Sequence, residues 1–231
     1  MAESRVLPRQ SSLVFLLGAI AGFVDGVTFL TLFGLFTANM SGNAARLGVS
    51  AGDADWSAAL TRFVPIVVWT VVVVATVVFV ETRGRGQDRE LRPLLLVEAG
   101  LLAVFVVLGT ALQDNGDIVP QSLAFYGLAV IAAVAMGVQT SALRRAGGVG
   151  VHTTFISGMV VSLAEDVAAA WHRADRMAGA RARMHGIVVV TVISGAALGA
   201  LLLGELELWC VAVPIVTLLA CAASPGATSP Q

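Results

Sequence analysis

Long apolar runs alternate with short polar segments along the whole chain. A helix that spans a membrane needs about 20 mostly apolar residues. Six runs meet or approach that length and are predicted to be transmembrane helices: 12–35, 58–80, 93–112, 121–142, 186–203 and 206–223. The last two are short and meet at a tight polar turn, Gly204–Glu207. Two further stretches, 36–50 and 152–171, have helical character but are more polar.

Composition supports this pattern. The chain is 57% hydrophobic and 13% charged, with a mean hydropathy of +0.87, whereas soluble domains carry about 25% charged residues. A net charge of -1 argues against nucleic acid as a partner. The first apolar run extends to Phe36, which is too long for the core of a cleaved signal peptide. We therefore predict an all-α integral membrane protein whose main partner is the lipid bilayer.

Arginine placement predicts the orientation of the spans. Arginines lie in the N-terminal tail, in Glu81–Arg92, after the fourth span and in Trp171–His185, whereas Gln113–Pro120 and Gly204–Glu207 contain acids and no Lys or Arg. Because positive charges favour the cytoplasmic side, both termini are predicted to be cytoplasmic. The segment 36–57 then begins and ends outside, and the segment 146–185 begins and ends inside.

The polar stretches form an internal repeat. Thr37, Ser41 and Gly42 align with Thr153, Ser157 and Gly158, and Gly22 aligns with Gly137 after a one-residue gap. Each half contains three spans, an odd number, so the two halves are predicted to lie in opposite orientations, a design of many secondary transporters. The predicted division is a tail (1–11), a first repeat (12–112), a second repeat (119–223) and a C-terminal tail (224–231).

The two polar stretches are interpreted as re-entrant segments or half-helices. Irregular backbone at membrane depth is tolerated where it lines a cavity, and the glycines at Gly34 and Gly147–Gly150 provide flexible backbone. Two alternatives remain. The stretches lie on the membrane surface, or they cross it to give eight spans in a parallel repeat, which would place one arginine-rich segment on the wrong side.

Asp25 is the strongest candidate for chemistry. It lies near the middle of the first span, where ionisable groups are costly and face a bundle interior or water. Gly18, Gly22 and Gly26 recur every fourth residue and predict a stripe for close helix packing, and Asp25 projects to the same side. One hypothesis is a proton or cation site, and the alternative is a buried hydrogen-bond acceptor that caps the second segment.

Other polar residues of the two motifs complete the predicted site. Thr37 and Thr153 are plausible helix N-caps, and Asn39 and Asn43 share a helical face. Helix N-termini at these positions would favour an anion or a carboxylate. The predicted binding residues are Asp25, Thr37, Asn39, Ser41, Asn43, Gln139, Thr154, Ser157 and Glu165, and the predicted packing glycines are Gly18, Gly22, Gly26, Gly42 and Gly158.

The remaining charged residues have simpler interpretations. Glu98 lies about one turn into the third span and could reach back towards the interface. Asp166 is expected to form a solvated salt bridge near Arg173, and Arg46 is expected to be an interface anchor or a partner near Asp25. No metal-ligand cluster, catalytic triad spacing or phosphate loop occurs in the sequence, and Cys210 and Cys221 are too far apart along one helix to bridge. We expect no enzyme, no metal and no cofactor.

The motifs resemble those of a known family. The residues Gly22–Asp25, Phe36–Asn43, Met136–Gln139 and Thr154–Gly158 are similar to the YoaK family of bacterial inner-membrane proteins, over about Leu13 to Leu219. The family's usual Thr-Gly is Ser-Gly here in both motifs, and an asparagine that often follows Gln139 is Thr140. The resemblance implies a bacterial inner membrane and names no substrate.

Two function classes remain open. Inverted repeats with broken polar segments build midplane sites, which favours a transporter or channel for a small solute or ion. The alternative is a non-transporting assembly or signalling protein whose polar motifs are structural, since fold alone does not decide function. The sequence also permits a homo-oligomer.

Overall fold

A computed structural model describes residues 7–83, 87–147, 156–173 and 176–224. Within these ranges the chain is helical and has no strand. The helices are α1 (Leu7–Thr31), α2 (Met40–Gly52), α3 (Trp56–Arg83), α4 (Gln87–Asp114), α5 (Leu123–Gly147), α6 (Ile156–Arg173), α7 (Arg176–Leu206) and α8 (Ala212–Ala223), with a 3₁₀ turn, Glu207–Val211, before α8.

The described helices are apolar and long enough to cross a bilayer in five places, which confirms an all-α, multi-pass membrane protein. These candidate spans are Ser12–Thr31, Trp56–Thr82, Leu91–Asp114, Leu123–Leu143 and Met177–Ala223. The last contains both of the final two predicted spans. Within it α7 continues through Gly204, and the chain turns at Glu207, where φ is 51°. The 12 residues of α8 extend about 18 Å, less than the hydrocarbon core of about 30 Å, so the number six stays a prediction.

α1 and α7 form the most extensive helix pair, and glycines on both helices allow it. A Cβ added at Gly22 or Gly26 would collide with the backbone of Val192 or Ala196 on α7. Likewise, a Cβ at Gly195 or Gly199 of α7 would collide with the backbone of Ala19 or Phe23 on α1. For each glycine pair, moving four residues along one helix moves the contact four residues the same way along the other, so the two helices run parallel. Each helix contributes a Gly-x-x-x-Gly pair, which lets the two backbones touch.

α5 runs antiparallel to α1. At one end of the pair, the rings of Phe33 and Phe125 lie 6.3 Å apart, and at the other Gln139 donates to the carbonyl of Leu17 over 3.3 Å. α5 is also the most enclosed of the candidate spans. In its apolar 18-residue stretch 61% is buried inside the protein, compared with 11% for α3. α5 therefore lies at the centre of the bundle, and α3 lies at its edge, where its exposed valines contact lipid.

The other helix directions follow from similar contacts. α3 runs parallel to α5, since Gln121 binds Ser57 near the start of both helices and Gly137 lies against Trp69 and Val72 further along. α4 runs antiparallel to α5 and to the segment after α7. At one end Gly109 lies beside Leu128 and Leu208, and at the other Glu98 interacts with Gln139 and Cys221. Thus α1, α4 and α7 point one way, and α3, α5 and α8 point the other. We call the end at which α1, α4 and α7 begin the arginine-rich end.

The connection from α1 to α2 turns back into the bundle. α1 ends in a left-handed pair, Phe33 and Gly34, with φ of 53° and 78°, and the Gly34 N–H binds the Phe29 carbonyl at 2.7 Å. This is the six-to-one bond that terminates helices. The next residues lie beside Asp25, six residues before the end of α1. Along the axis of α1, the start of α2 therefore lies about 9 Å back from the C-terminal end of α1.

Candidate functional site

The Asp25 carboxylate is held by three backbone N–H groups. Thr37 and Ala38 both donate to Oδ1 at 2.7 Å, and Asn39 donates to Oδ2 at 2.9 Å. The side chain is 9% exposed. These residues directly precede α2, so Asp25 closes the N-terminal end of that helix from a different helix. A carboxylate that receives three N–H groups is a strong acceptor and matches the positive end of a helix dipole.

Asn43 fixes the shape of the same connection. Its Nδ2 donates to the Phe36 carbonyl at 2.6 Å, and its Oδ1 accepts from the Phe36 N–H at 3.1 Å. Asn43 is fully buried. Because both backbone polar groups of Phe36 are paired by one amide side chain, the connection can lie in an apolar bundle without orphaned donors or acceptors. The ring of Phe36 in turn covers Gly42.

Two further side-chain contacts lie in or next to the connection, one between two threonines and one between Ser41 and Asn39. The hydroxyls of Thr28 and Thr37 lie 3.3 Å apart and both residues are fully buried. Ser41 donates to Oδ1 of Asn39 at 2.7 Å in an exposed position. Of the predicted first-motif residues, Asp25, Thr37 and Asn43 are buried and joined to the backbone or to α1. Asn39 is half-buried and its N–H binds Asp25, whereas Ser41 is exposed.

Two arginines bind the C-terminal end of α1. Arg46 of α2 donates to the Gly34 carbonyl, and Arg62 of α3 donates to the Phe33 carbonyl at 3.0 Å. Cations at a helix C-terminus complement its dipole. Arg46 is therefore placed on a carbonyl at the end of α1, away from Asp25, and α2 and α3 are both fastened to α1 there.

A cavity of about 220 Å³ adjoins Asp25. One wall is formed by Gly22 and Asp25 of α1 with Ala38 and Asn39 of the connection. The facing wall is formed by Ile156, the first residue of α6, and by three residues of α7: Val192, Ile193 and Ala196. The starts of α2 and α6 thus border the same space. A second, larger hollow of about 480 Å³ between α4 and α5 is lined mainly by apolar side chains and contains none of the predicted residues.

The second motif contributes less to this cavity. Gln139 is buried and binds the Leu17 carbonyl, while Ser157 and Glu165 are exposed on α6. Thr154 lies outside the described residues. Asp166 differs from its predicted solvated role, because it is 9% exposed and lies 2.9 Å from Arg181 and 3.2 Å from His185 on α7. Packing of α6 against α7 covers this carboxylate.

The predicted packing glycines have different surroundings. Gly18, Gly22 and Gly26 lie on the part of α1 that faces into the bundle; Gly22 and Gly26 make the backbone contacts described above. Gly42 meets the Phe36 ring, and Gly158 is exposed on α6. The close-packed stripe of α1 is matched by Gly195 and Gly199 of α7, which sequence reasoning missed. Their four-residue spacing was the signal.

Glu98 is more deeply buried than the sequence predicted. The expectation that it could reach the interface is wrong, because its side chain is fully buried and neither carboxylate oxygen has a hydrogen-bond partner within the described part of the chain. Packing of α5 and α8 against α4 encloses it. The available signal was its position seven residues inside the span Leu91–Asp114.

No group of three or more His, Cys, Asp or Glu side chains that could hold a metal occurs within residues 7–83, 87–147, 156–173 and 176–224. Cys210 and Cys221 are free, and Cys210 is buried. The chemistry that the described site can offer is therefore a carboxylate held by amides beside a small cavity, with one amide side chain, Asn39, at its rim.

Comparisons with known proteins place the chain in a family. The chain is 28% identical over 159 residues to the UPF0700 transmembrane protein YoaK of Bacillus subtilis (strain 168), an alignment that covers 68% of this chain and 67% of that protein. No solved structure matches it significantly. A family model described as "Protein of unknown function (DUF1275)" matches residues 13–224. The chain therefore belongs to the DUF1275 family, which includes the YoaK-type transmembrane proteins.

Proposed function

We propose that the protein is a transporter or channel for a small solute or ion, with its site in the cavity beside Asp25. The observation that carries this proposal is the position of the cavity. One wall comes from α1 and the connection to α2, and the other comes from α6 and α7. Midplane sites between structural repeats, bordered by the N-termini of short helices, are a feature of secondary transporters.

The helix packing supports an inverted-topology repeat. When α1–α4 are exchanged with α5–α8, the pair α1–α7 becomes α5–α3, and α2–α3 becomes α6–α7, and all four pairs are packed together. Gly22 and Gly137, which are aligned in the sequence, each lie against the third helix of the other half, at Val192 of α7 and at Val72 of α3. The antiparallel pairing of α1 with α5 is what a twofold axis in the membrane plane requires.

The re-entrant interpretation of α2 is supported by the same geometry. The chain leaves the end of α1, returns to the level of Asp25 and only then begins α2. With the arginine-rich end in the cytoplasm, α2 enters from outside and α6 from inside, in the inner membrane of a bacterium with both termini cytoplasmic. We propose no enzymatic activity for this arrangement.

The cavity chemistry limits the solute. The N–H groups that precede α2 already bind Asp25, so they are not free for an anion. An anionic solute would also meet the carboxylate itself. A small uncharged or cationic solute suits the cavity better. The expectation that a helix N-terminus favours an anion therefore does not apply to the start of α2.

Flux through vesicles tests the proposal. Purified protein in liposomes is subjected to osmotic jumps with urea, glycerol, NaCl or KCl, and volume recovery is followed by light scattering. Ile193→Trp fills the cavity wall, and Val190→Trp is the matched control one turn earlier on α7, since the two side chains are 58% and 61% exposed and Val190 does not line the cavity. We expect faster recovery with at least one probe, which Ile193→Trp abolishes and Val190→Trp leaves intact. Equal effects of both variants would contradict the assigned cavity.

A second function has an observation in its favour. Asp25 and Asn43, the most conspicuous motif residues, are occupied by backbone groups, which suits a non-transporting membrane protein whose polar motif holds the fold together. The vesicle experiment separates the two, because this alternative requires recovery rates equal to those of protein-free liposomes for all probes.

A further inference from the structure

Glu98 stands apart from the other buried acids of the bundle. It lies on α4 seven residues, about 10 Å, inside the arginine-rich end of the span that begins at Leu91. Its exposed fraction is 0%, and both Oε atoms are inaccessible and without a hydrogen-bond partner in the described ranges. Asp25 has three N–H donors and Asp166 has two basic side chains. Among the described residues, no backbone N–H and no basic side chain binds Glu98.

The neighbours of Glu98 come from three helices. Gln139 of α5 places a neutral amide beside it, and this amide also donates to the Leu17 carbonyl of α1 at 3.3 Å. The thiol of Cys221 on α8 is a titratable group that interacts with Glu98. Within the part of the chain that the structure describes, no Arg, Lys or His forms an ion pair with Glu98.

An ionised carboxylate in such surroundings is costly. Removal of a charge from water without a partner costs many kcal/mol, and the group instead becomes neutral. Acidic side chains enclosed within membrane bundles often belong to proton or ion pathways. A proton on one oxygen of Glu98 would make the side chain a neutral carboxylic acid. Its O–H group can then donate a hydrogen bond to the amide oxygen of Gln139.

We propose that Glu98 is a proton-binding site that carries a proton at neutral pH. The proton comes from water at the arginine-rich end, and its release leaves the carboxylate without a partner until a helix moves or water enters. Proton binding at Glu98 does not rest on the proposed function. If the protein transports a solute, Glu98 is the acid that would couple it to protons, in place of Asp25.

Infrared spectroscopy tests the site without knowledge of a solute. Protein labelled with ¹³C at glutamate carboxyl groups is compared with unlabelled protein in liposomes at neutral pH. A protonated carboxylic acid has a carbonyl band distinct from those of carboxylates, and we expect a band that shifts with the label and with D₂O. Glu98→Gln should remove it, and Glu205→Gln, the same change at an exposed position on α7, should leave it.

Two results would overturn the proposal. One is the absence of a label-sensitive carboxylic acid band in the wild-type protein, which would mean that Glu98 is ionised and held by a cation or by water. The other is persistence of the band in Glu98→Gln, which would assign it to another residue. If Glu98→Gln does not fold, Glu98→Asp replaces it, because aspartate escapes the label and the labelled band must then vanish.

Discussion

Gly22 of α1 and Val192 of α7 are in direct backbone contact, so closely that a methyl group at Gly22 would overlap the Val192 carbonyl. The same pair forms part of the cavity wall beside Asp25. The contact between the Gly-x-x-x-Gly pairs therefore sets the distance between α1 and α7 as well as the shape of the candidate site.

Gly22→Ala is expected to destabilise the protein. The colliding atoms belong to the backbone of Val192, which cannot rotate away as a side chain can, so the loss should be at or above the upper part of the range of about 1–3 kcal/mol for overpacked cores. Thermal unfolding in detergent measures it. Gly100→Ala is the matched control, because no atom lies within 4 Å of its added Cβ, and alanine favours a helix by up to about 1 kcal/mol. Equal melting temperatures for Gly22→Ala and the wild type would contradict the contact.

Asp25→Asn is expected to destabilise the protein as well, even if Asp25 has no transport role. An amide has only one acceptor oxygen, so its NH₂ must face at least one of the three N–H donors from Thr37, Ala38 and Asn39. A buried donor without an acceptor costs about 1–3 kcal/mol. Asp53→Asn, at an exposed site after α2, is the control for unfolding measurements. A wild-type melting temperature for Asp25→Asn would refute the capping role.

Asn43→Ala should remove both hydrogen bonds that this side chain makes. The Phe36 N–H and the Phe36 carbonyl then lose their partners. We expect a loss of about 1–3 kcal/mol for each buried backbone group that is left unpaired, measured by thermal unfolding. Ser41→Ala, which removes an exposed hydrogen bond to Asn39, should change the unfolding temperature little. A larger loss for Ser41→Ala than for Asn43→Ala would show that Asn43 does not hold the connection.

Asp55 predicts a pH dependence outside the spans. The N–H of Ala58, followed by the hydroxyl of Ser57, lowers the pKa of the Asp55 carboxyl from its usual 3.8. The carboxylate therefore stabilises the start of α3 above pH 3.8, and this contribution is lost as the pH falls through the lower pKa of the folded state. Melting temperatures of the wild type and Asp55→Asn, measured from about pH 6 to about pH 2.5, should converge at the acidic end. A constant difference over that range would exclude the linkage.

Reporter fusions test the orientation. Gln87 and Asp114 lie at opposite ends of α4. We expect a cytoplasmic signal at Gln87, for example fluorescence of a green fluorescent protein fusion, and an external signal at Asp114, for example alkaline phosphatase activity. Localisation of Gln87 outside would overturn the topology on which the re-entrant assignments depend.

Hydrophobic patterning determined the long apolar helices and the class of the protein. Each long helix meets lipid or apolar neighbours over most of its surface, so its own residues are sufficient to specify it. The repeat, visible as Gly22 with Gly137 and as Ser41 with Ser157, also belongs to the sequence, because related halves keep related motifs. Arginine placement predicts an orientation, which reporter fusions would test.

Only the tertiary structure decided what the buried acids contact. The partners of Asp25 are backbone N–H groups 12 to 14 residues away, brought back by the turn after α1, and backbone groups carry no sequence signal. The burial of Glu98 depends on α5 and α8, which lie far along the chain. Asp25 and Glu98 look equivalent as single acids in apolar runs, but long-range packing makes Asp25 a helix cap and leaves Glu98 without a cationic partner among the described residues.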